Sequence, residues 1–89
     1  MRVKLSSCGN PDLGQNPDRT CVGVETIIIP VESFLEASAV CRSWIEANNL
    51  GGGNWAGGQI LKDGILVGRV SYNGRVWDIQ DKEIQVLNV

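Results

Sequence analysis

The stretch QILKDGILVGRVSYNGRVWDI, residues 59–79, decides the fold. It holds two Asx-Gly pairs, Asp63-Gly64 and Asn73-Gly74, each flanked by apolar residues in near alternation. Such pairs favour two-residue type I′ hairpin turns, because both central residues need positive φ. On that reading residues 58–80 form a three-stranded antiparallel meander. Lys62 faces Ile65, Leu61 faces Leu66 and Ile60 faces Val67 across the first corner. Tyr72 faces Arg75, Val70 faces Trp77 and Gly68 faces Ile79 across the second.

Alternation of side chains then divides the meander into two faces. One carries Leu61, Leu66, Val70, Tyr72, Trp77 and Ile79 and is expected beneath a helix, with Gly68 leaving room for Trp44 or Trp77. The other carries Ile60, Lys62, Ile65, Val67, Arg69, Ser71, Val76 and Asp78. A solvent face should be mostly polar, yet four aliphatic residues stand among its charges. Apolar patches of this kind mark partner surfaces. Ile60, Ile65, Val67, Arg69 and Val76 are therefore the expected partner-binding residues, toward another protein or toward a second copy in a homo-oligomer. The competing reading uses the β-prone KEIQVLNV, residues 82–89, as a sixth strand within 83–89 or as a cover for this face.

Working outward, Ser33-Phe34-Leu35-Glu36 has the S-x-x-E form of a capping box and opens a helix over residues 34–49. At 100° per residue Phe34, Ala37, Val40, Cys41, Trp44 and Ile45 share one apolar arc, opposite Glu36, Arg42, Ser43 and Glu46. Trp44 reads as a core anchor, and Cys41 as a small buried hydrophobe rather than a nucleophile. Before the helix, RVKL alternates as a half-buried strand, and VETIIIPV reads as a central strand ended by Pro30. Residues 8–23 form a loop with NPD twice, at Asn10-Pro11-Asp12 and Asn16-Pro17-Asp18. Two stacked turns are expected there, with Asp12, Gln15, Asp18 and Arg19 as an alternative polar rim.

Between helix and meander lies NNLGGGNWAGGQ, residues 48–59. Gly51-x-Gly53-x-x-Ala56 loosely matches a dinucleotide fingerprint, but that motif must follow a strand and open a helix. Here it follows a helix, whose carboxyl end repels anions. Gly51 is expected as the left-handed residue past the helix, and Gly57-Gly58 as a bulge or tight entry to the next strand. Trp55 is expected tucked over the sheet rather than presented.

Composition narrows the chemistry. The 89 residues suit one small domain with room for one helix on one sheet. Eight Lys and Arg against ten Asp and Glu, scattered without a run, argue against nucleic acid. No apolar run nears the ~20 residues of a membrane span, and no signal peptide is expected. The chain has no histidine, which removes Ser–His and Cys–His nucleophilic pairs and the commonest metal ligand. Three cysteines without a C-x-x-C spacing suit a reducing cytoplasm, with a Cys8–Cys21 disulfide as the oxidised alternative. Neither these cysteines nor Asp12 with Asp18 make a convincing metal set. No cofactor and no catalytic residue are expected.

Two stretches, SSCGNPDLGQNPDR and GGGNWAGG followed by SYNGRVW, resemble short proteins carried on bacterial plasmids, phages and other mobile elements. The resemblance implies a setting rather than a mechanism: an accessory protein that binds and modulates another protein. The expectation is thus an α+β domain in the order β-β-α-β-β-β, with five or six antiparallel strands and the helix on one face. It would act as a non-catalytic interaction module. The alternative is a small-ligand binder, for a nucleotide-like molecule, using Asn54, Trp55, Arg69, Tyr72 and Arg75.

Overall fold

The computed structural model describes residues 1–21 and 23–86. Six strands form one antiparallel sheet, and one helix packs on one face of it, giving an α+β fold. The strands are β1 (Arg2–Leu5), β2 (Ile27–Pro30), β3 (Gln59–Lys62), β4 (Ile65–Val70), β5 (Val76–Trp77) and β6 (Glu83–Ile84), in the order β2-β1-β3-β4-β5-β6. VETIIIPV therefore supplies an edge strand and not a central one; Pro30, which lacks an N–H, suits an edge. The sixth strand is present as β6, while residues 87–89 of the expected terminal strand lie outside the described residues.

Helix α1 (Phe34–Ala47) begins as expected: Ser33 is extended and its hydroxyl accepts from the Glu36 N–H at 3.0 Å. Ala37, Cys41 and Ile45 are buried, and Phe34, Val40 and Trp44 pack beside the core. The left-handed residue past the helix is Asn49, at φ 54°, not Gly51, whose φ is −85°. Asn tolerates that conformation, so the turn closes two residues earlier than expected.

The sheet departs from the expected register twice. Asp63 and Gly64, at φ 53° and 80°, form the two-residue corner, and Lys62 pairs with Ile65 and Leu61 with Leu66. Then the register shifts between Ile60 and Leu61, so that Ile60 pairs with Gly68 and Val67 is the extra residue of a bulge. At the second corner Val70 pairs with Val76 and Arg69 with Trp77. Ser71 and Arg75 close the loop through Ser71 N–H to Arg75 O at 2.9 Å. Its three residues are Tyr72, Asn73 and Gly74, and only Gly74 has positive φ.

Each one-residue shift carries side chains to the opposite face. Val70 stays on the helix side as expected, while Ile60 and Val76 are turned to it, and all three join Val3, Leu5, Val31, Ala37 and Cys41 in the core. Leu61, Leu66 and Trp77 stay together as expected, but on the face away from the helix. Gly68 admits the Phe34 ring and the Trp77 carbonyl rather than an indole.

Candidate protein interface

Pairing across β2, β1, β3, β4 and β5 sets one row of side chains on the uncovered face. Lys4 lies opposite Ile28, Arg2 opposite Leu61, Leu61 opposite Leu66, and Arg69 opposite both Gln59 and Trp77. Ile28 is 53% exposed, Leu66 48% and Ile79, just past β5, 68%. Two shallow hollows break this face. One, of about 570 Å³, lies among Arg2, Ile28, Pro30 and Leu61. The other, of about 310 Å³, lies among Gln59, Leu66, Arg69, Ile79 and Asp81. Arg69 bonds Asp81 at 3.1 Å with its guanidinium 5.4 Å from the Trp77 ring centre. The face thus joins an aliphatic strip to a rim of paired and unpaired charges, the general composition of a protein interface.

The five residues expected on a partner surface do not form one. Ile60 and Val76 are fully buried in the core. Val67, the bulge residue, is half-buried and packs beside that core. Ile65 is 67% exposed but stands at the first hairpin's tip. Arg69 alone lies on the open face. The bulge at Val67 and the third loop residue at the second corner are the physical reason. The residues missed were Ile28, Leu61, Leu66, Trp77 and Ile79. Four of them had been grouped correctly by alternation, and no sequence signal marked the bulge that turned them outward.

The residues of the alternative ligand site are likewise apart and engaged. Asn54 Nδ2 donates to Cys8 O at 2.9 Å and to Gln15 Oε1 at 3.1 Å, fastening the loop of residues 8–21 to the glycine turn. Trp55 is tucked in: its indole N–H donates to Val70 O at 3.0 Å and its ring lies 5.9 Å from that of Trp44. Tyr72 donates to Leu50 O, with Arg42 over its ring at 5.1 Å. Arg75 faces Glu83 at 3.9 Å. Trp55 belongs to the helix side and Arg69 to the open side, so these groups converge on no common cleft.

No family model, curated protein or solved structure matches the chain.

Elsewhere the loop of residues 8–21 is built from the expected stacked turns. Asn10 and Asn16 side chains accept from the Asp12 and Asp18 N–H groups at 3.0 and 2.9 Å. Cys8 and Cys21 are free thiols, donating to Gly53 O and Cys8 O. Cys41 is buried, which pushes its thiol up to about 12 and keeps it neutral. Among the described residues no three His, Cys, Asp or Glu side chains lie together as a metal set, and no helix is long and apolar enough to cross a membrane.

Proposed function

We propose that this chain is a non-catalytic interaction module that acts by protein–protein binding or self-association through the open face of its sheet. The observation that carries the reading is the apolar content of the open face, where Leu61 pairs with Leu66 beside Ile79 and Ile28 stands beyond Lys4 and Arg2, without a covering layer among the described residues, while the sheet's other face carries the core. Apolar side chains grouped on an exposed face mark partner surfaces. The absence of histidine from the chain supports a role without acid–base catalysis. The resemblance to mobile-element proteins fits a cytoplasmic accessory that modulates a partner.

The test is a Leu66→Lys, Ile79→Lys double variant. Both side chains are already solvated, so melting temperature should stay within a few degrees of wild type. Captured partners and the molar mass from light scattering should both be compared at matched concentration. The reading expects a partner or an oligomer present with wild type and lost with the variant. Identical capture and identical mass from both proteins would overturn it.

A further inference from the structure

We infer that β2 is a pairing edge, and that its occupant is the β2 of a second copy of this chain, joined antiparallel about a two-fold axis between the two Ile27 residues. This concerns the sheet's edge and stands independently of the open-face reading.

The hydrogen-bond parity of the sheet makes the case. Val31 N–H donates to Met1 O at 2.8 Å, in register with the Arg2–Pro30, Val3–Ile29 and Leu5–Ile27 pairs. In an antiparallel ladder, hydrogen-bonded and non-bonded pairs alternate. The odd-numbered residues of β2 therefore bond to β1, and the even-numbered ones turn their peptide groups outward. The opposite side of β1 agrees: Lys4 O and Ser6 O accept from Gly58 N–H and Ala56 N–H of the segment leading into β3. Thr26 and Ile28 thus present N–H and C=O to the free edge, and no described residue bonds to them. Pro30 is the next even residue, where an N–H would point into solvent.

Unpaired outward peptide groups select an extended strand as their complement. A second β2 answers them fully when Ile27 faces Ile27. Thr26 of each copy then lies opposite Ile28 of the other, and two donors and two acceptors per copy give four main-chain bonds. A register centred on Ile28 also forms four bonds, with Pro30 O accepting from Thr26 N–H, but it leaves Thr26 O unanswered and puts the facing residues on a bonded pair, where side chains stand farther apart. In the Ile27 register the axis falls on a non-bonded pair, where facing side chains approach most closely and β-branched pairs favour contact. Ile27 is 40% exposed in the single chain, and Glu25 of one copy meets Ile29 of the other, so no like charges face. The arrangement is isologous and uses the same edge in both copies, so it closes at two.

Substitutions at Ile28 separate main chain from side chain. Its N–H is not used within the monomer, so Ile28→Pro should keep the fold, checked by circular dichroism and melting. It removes two bonds per dimer, and the dimer dissociation constant from light scattering or sedimentation should rise more than about tenfold. Ile28→Ala, which removes most of the open-face side chain but keeps the N–H, should pair as wild type and so separates the edge from the open face. As a measurement free of substitution, the Ile28 and Thr26 amides of wild type should gain exchange protection with protein concentration, while Val3 and Ile29 stay protected throughout. A wild type that stays monomeric at hundreds of micromolar, with those two amides unprotected, would overturn the proposal. So would a dimer insensitive to Ile28→Pro; if that dimer were lost in the Leu66→Lys, Ile79→Lys variant, the open face would be the contact and the edge excluded.

Discussion

Gly58 gives the sharpest test of how the glycine stretch feeds the sheet. It sits at φ 98°, and a Cβ built there would lie 2.1 Å from Val70 O. Its N–H donates to Lys4 O at 2.7 Å and its C=O accepts from Val70 N–H at 2.8 Å, so it clasps β1 and β4 at once. Gly58→Ala meets two costs. Holding an L side chain at positive φ costs about 1–2 kcal/mol. Relieving the clash requires moving away from Val70, which strains or breaks two ladder bonds, each worth about 0.5–1.5 kcal/mol. The sum is about 2–5 kcal/mol, or a fall in Tm of roughly 8–40 °C for a domain of this length. Two other glycines isolate the terms. Gly64 has φ 80° and open space around its Cβ position, so Gly64→Ala should show the backbone term alone, about 5–15 °C. Gly51 has φ −85° and its nearest atom at 3.5 Å, so Gly51→Ala should be close to neutral. Urea unfolding followed by tryptophan fluorescence, beside calorimetry, measures all three. A Gly58→Ala no costlier than Gly64→Ala would refute the close passage of Gly58 against Val70, and with it the entry of β3.

Three further outcomes follow from individual side chains. Cys41 should resist alkylation at pH 8 while Cys8 and Cys21 react, and mass spectrometry should find it modified only once urea unfolds the chain; labelling at equal rates would show the core to be open. Because its folded value, about 12, exceeds the ordinary 9.0, its neutral form favours the fold, a contribution complete below pH 9 and lost as pH rises toward 12. Asp78 accepts from the Lys82 and Gln80 N–H groups, which hold its carboxyl below the ordinary range. Its contribution is present above that range and disappears as pH falls through the depressed value, so Asp78→Ala should flatten the acid limb of the stability profile; an unchanged limb would refute the turn's role. Ser33→Ala should cost about 1 kcal/mol, or about 4–8 °C in Tm, and a silent substitution would show that the cap at Glu36 carries nothing.

The helix was the most legible element because its signals are local and redundant. The Ser33 cap and the arc from Phe34 to Ile45 point independently to the same boundaries and the same buried face. The stacked turns of residues 8–21 were legible for the same reason, since Asn10 and Asn16 act within two residues of themselves. The tethering of that loop was not. Asn54 reaches across 39 residues to Gln15, and nothing in GGGN distinguishes a turn that binds its own chain from one that binds a ligand. The left-handed residue at Asn49 was hidden by a neighbouring glycine with the stronger intrinsic preference.

The candidate interface depended on a subtler property, the parity of each strand. Asp63-Gly64 behaved as its composition dictates, and the Leu61–Leu66 pair followed. Asn73-Gly74 did not, because Ser71 takes the closing position and Asn73 needs no positive φ; its side chain instead accepts from the Ser71 hydroxyl and the Arg75 N–H. A two-residue and a three-residue loop differ by one position, which is enough to exchange Val76 for Trp77 on the core side. The bulge at Val67 exchanges Ile60 for Leu61 in the same way. Together they swap small aliphatics into a core that has Val3, Leu5 and Cys41 to fill against, and send Leu66 and Trp77 outward. Tertiary packing favours that outcome: Ile60, Val70 and Val76 fit beneath α1 with Gly68 open to Phe34, whereas Trp77 in place of Val76 would need to occupy the same space. The apolar side chains of the open face, on which the proposed interface rests, are thus the counterpart of a core that closes well.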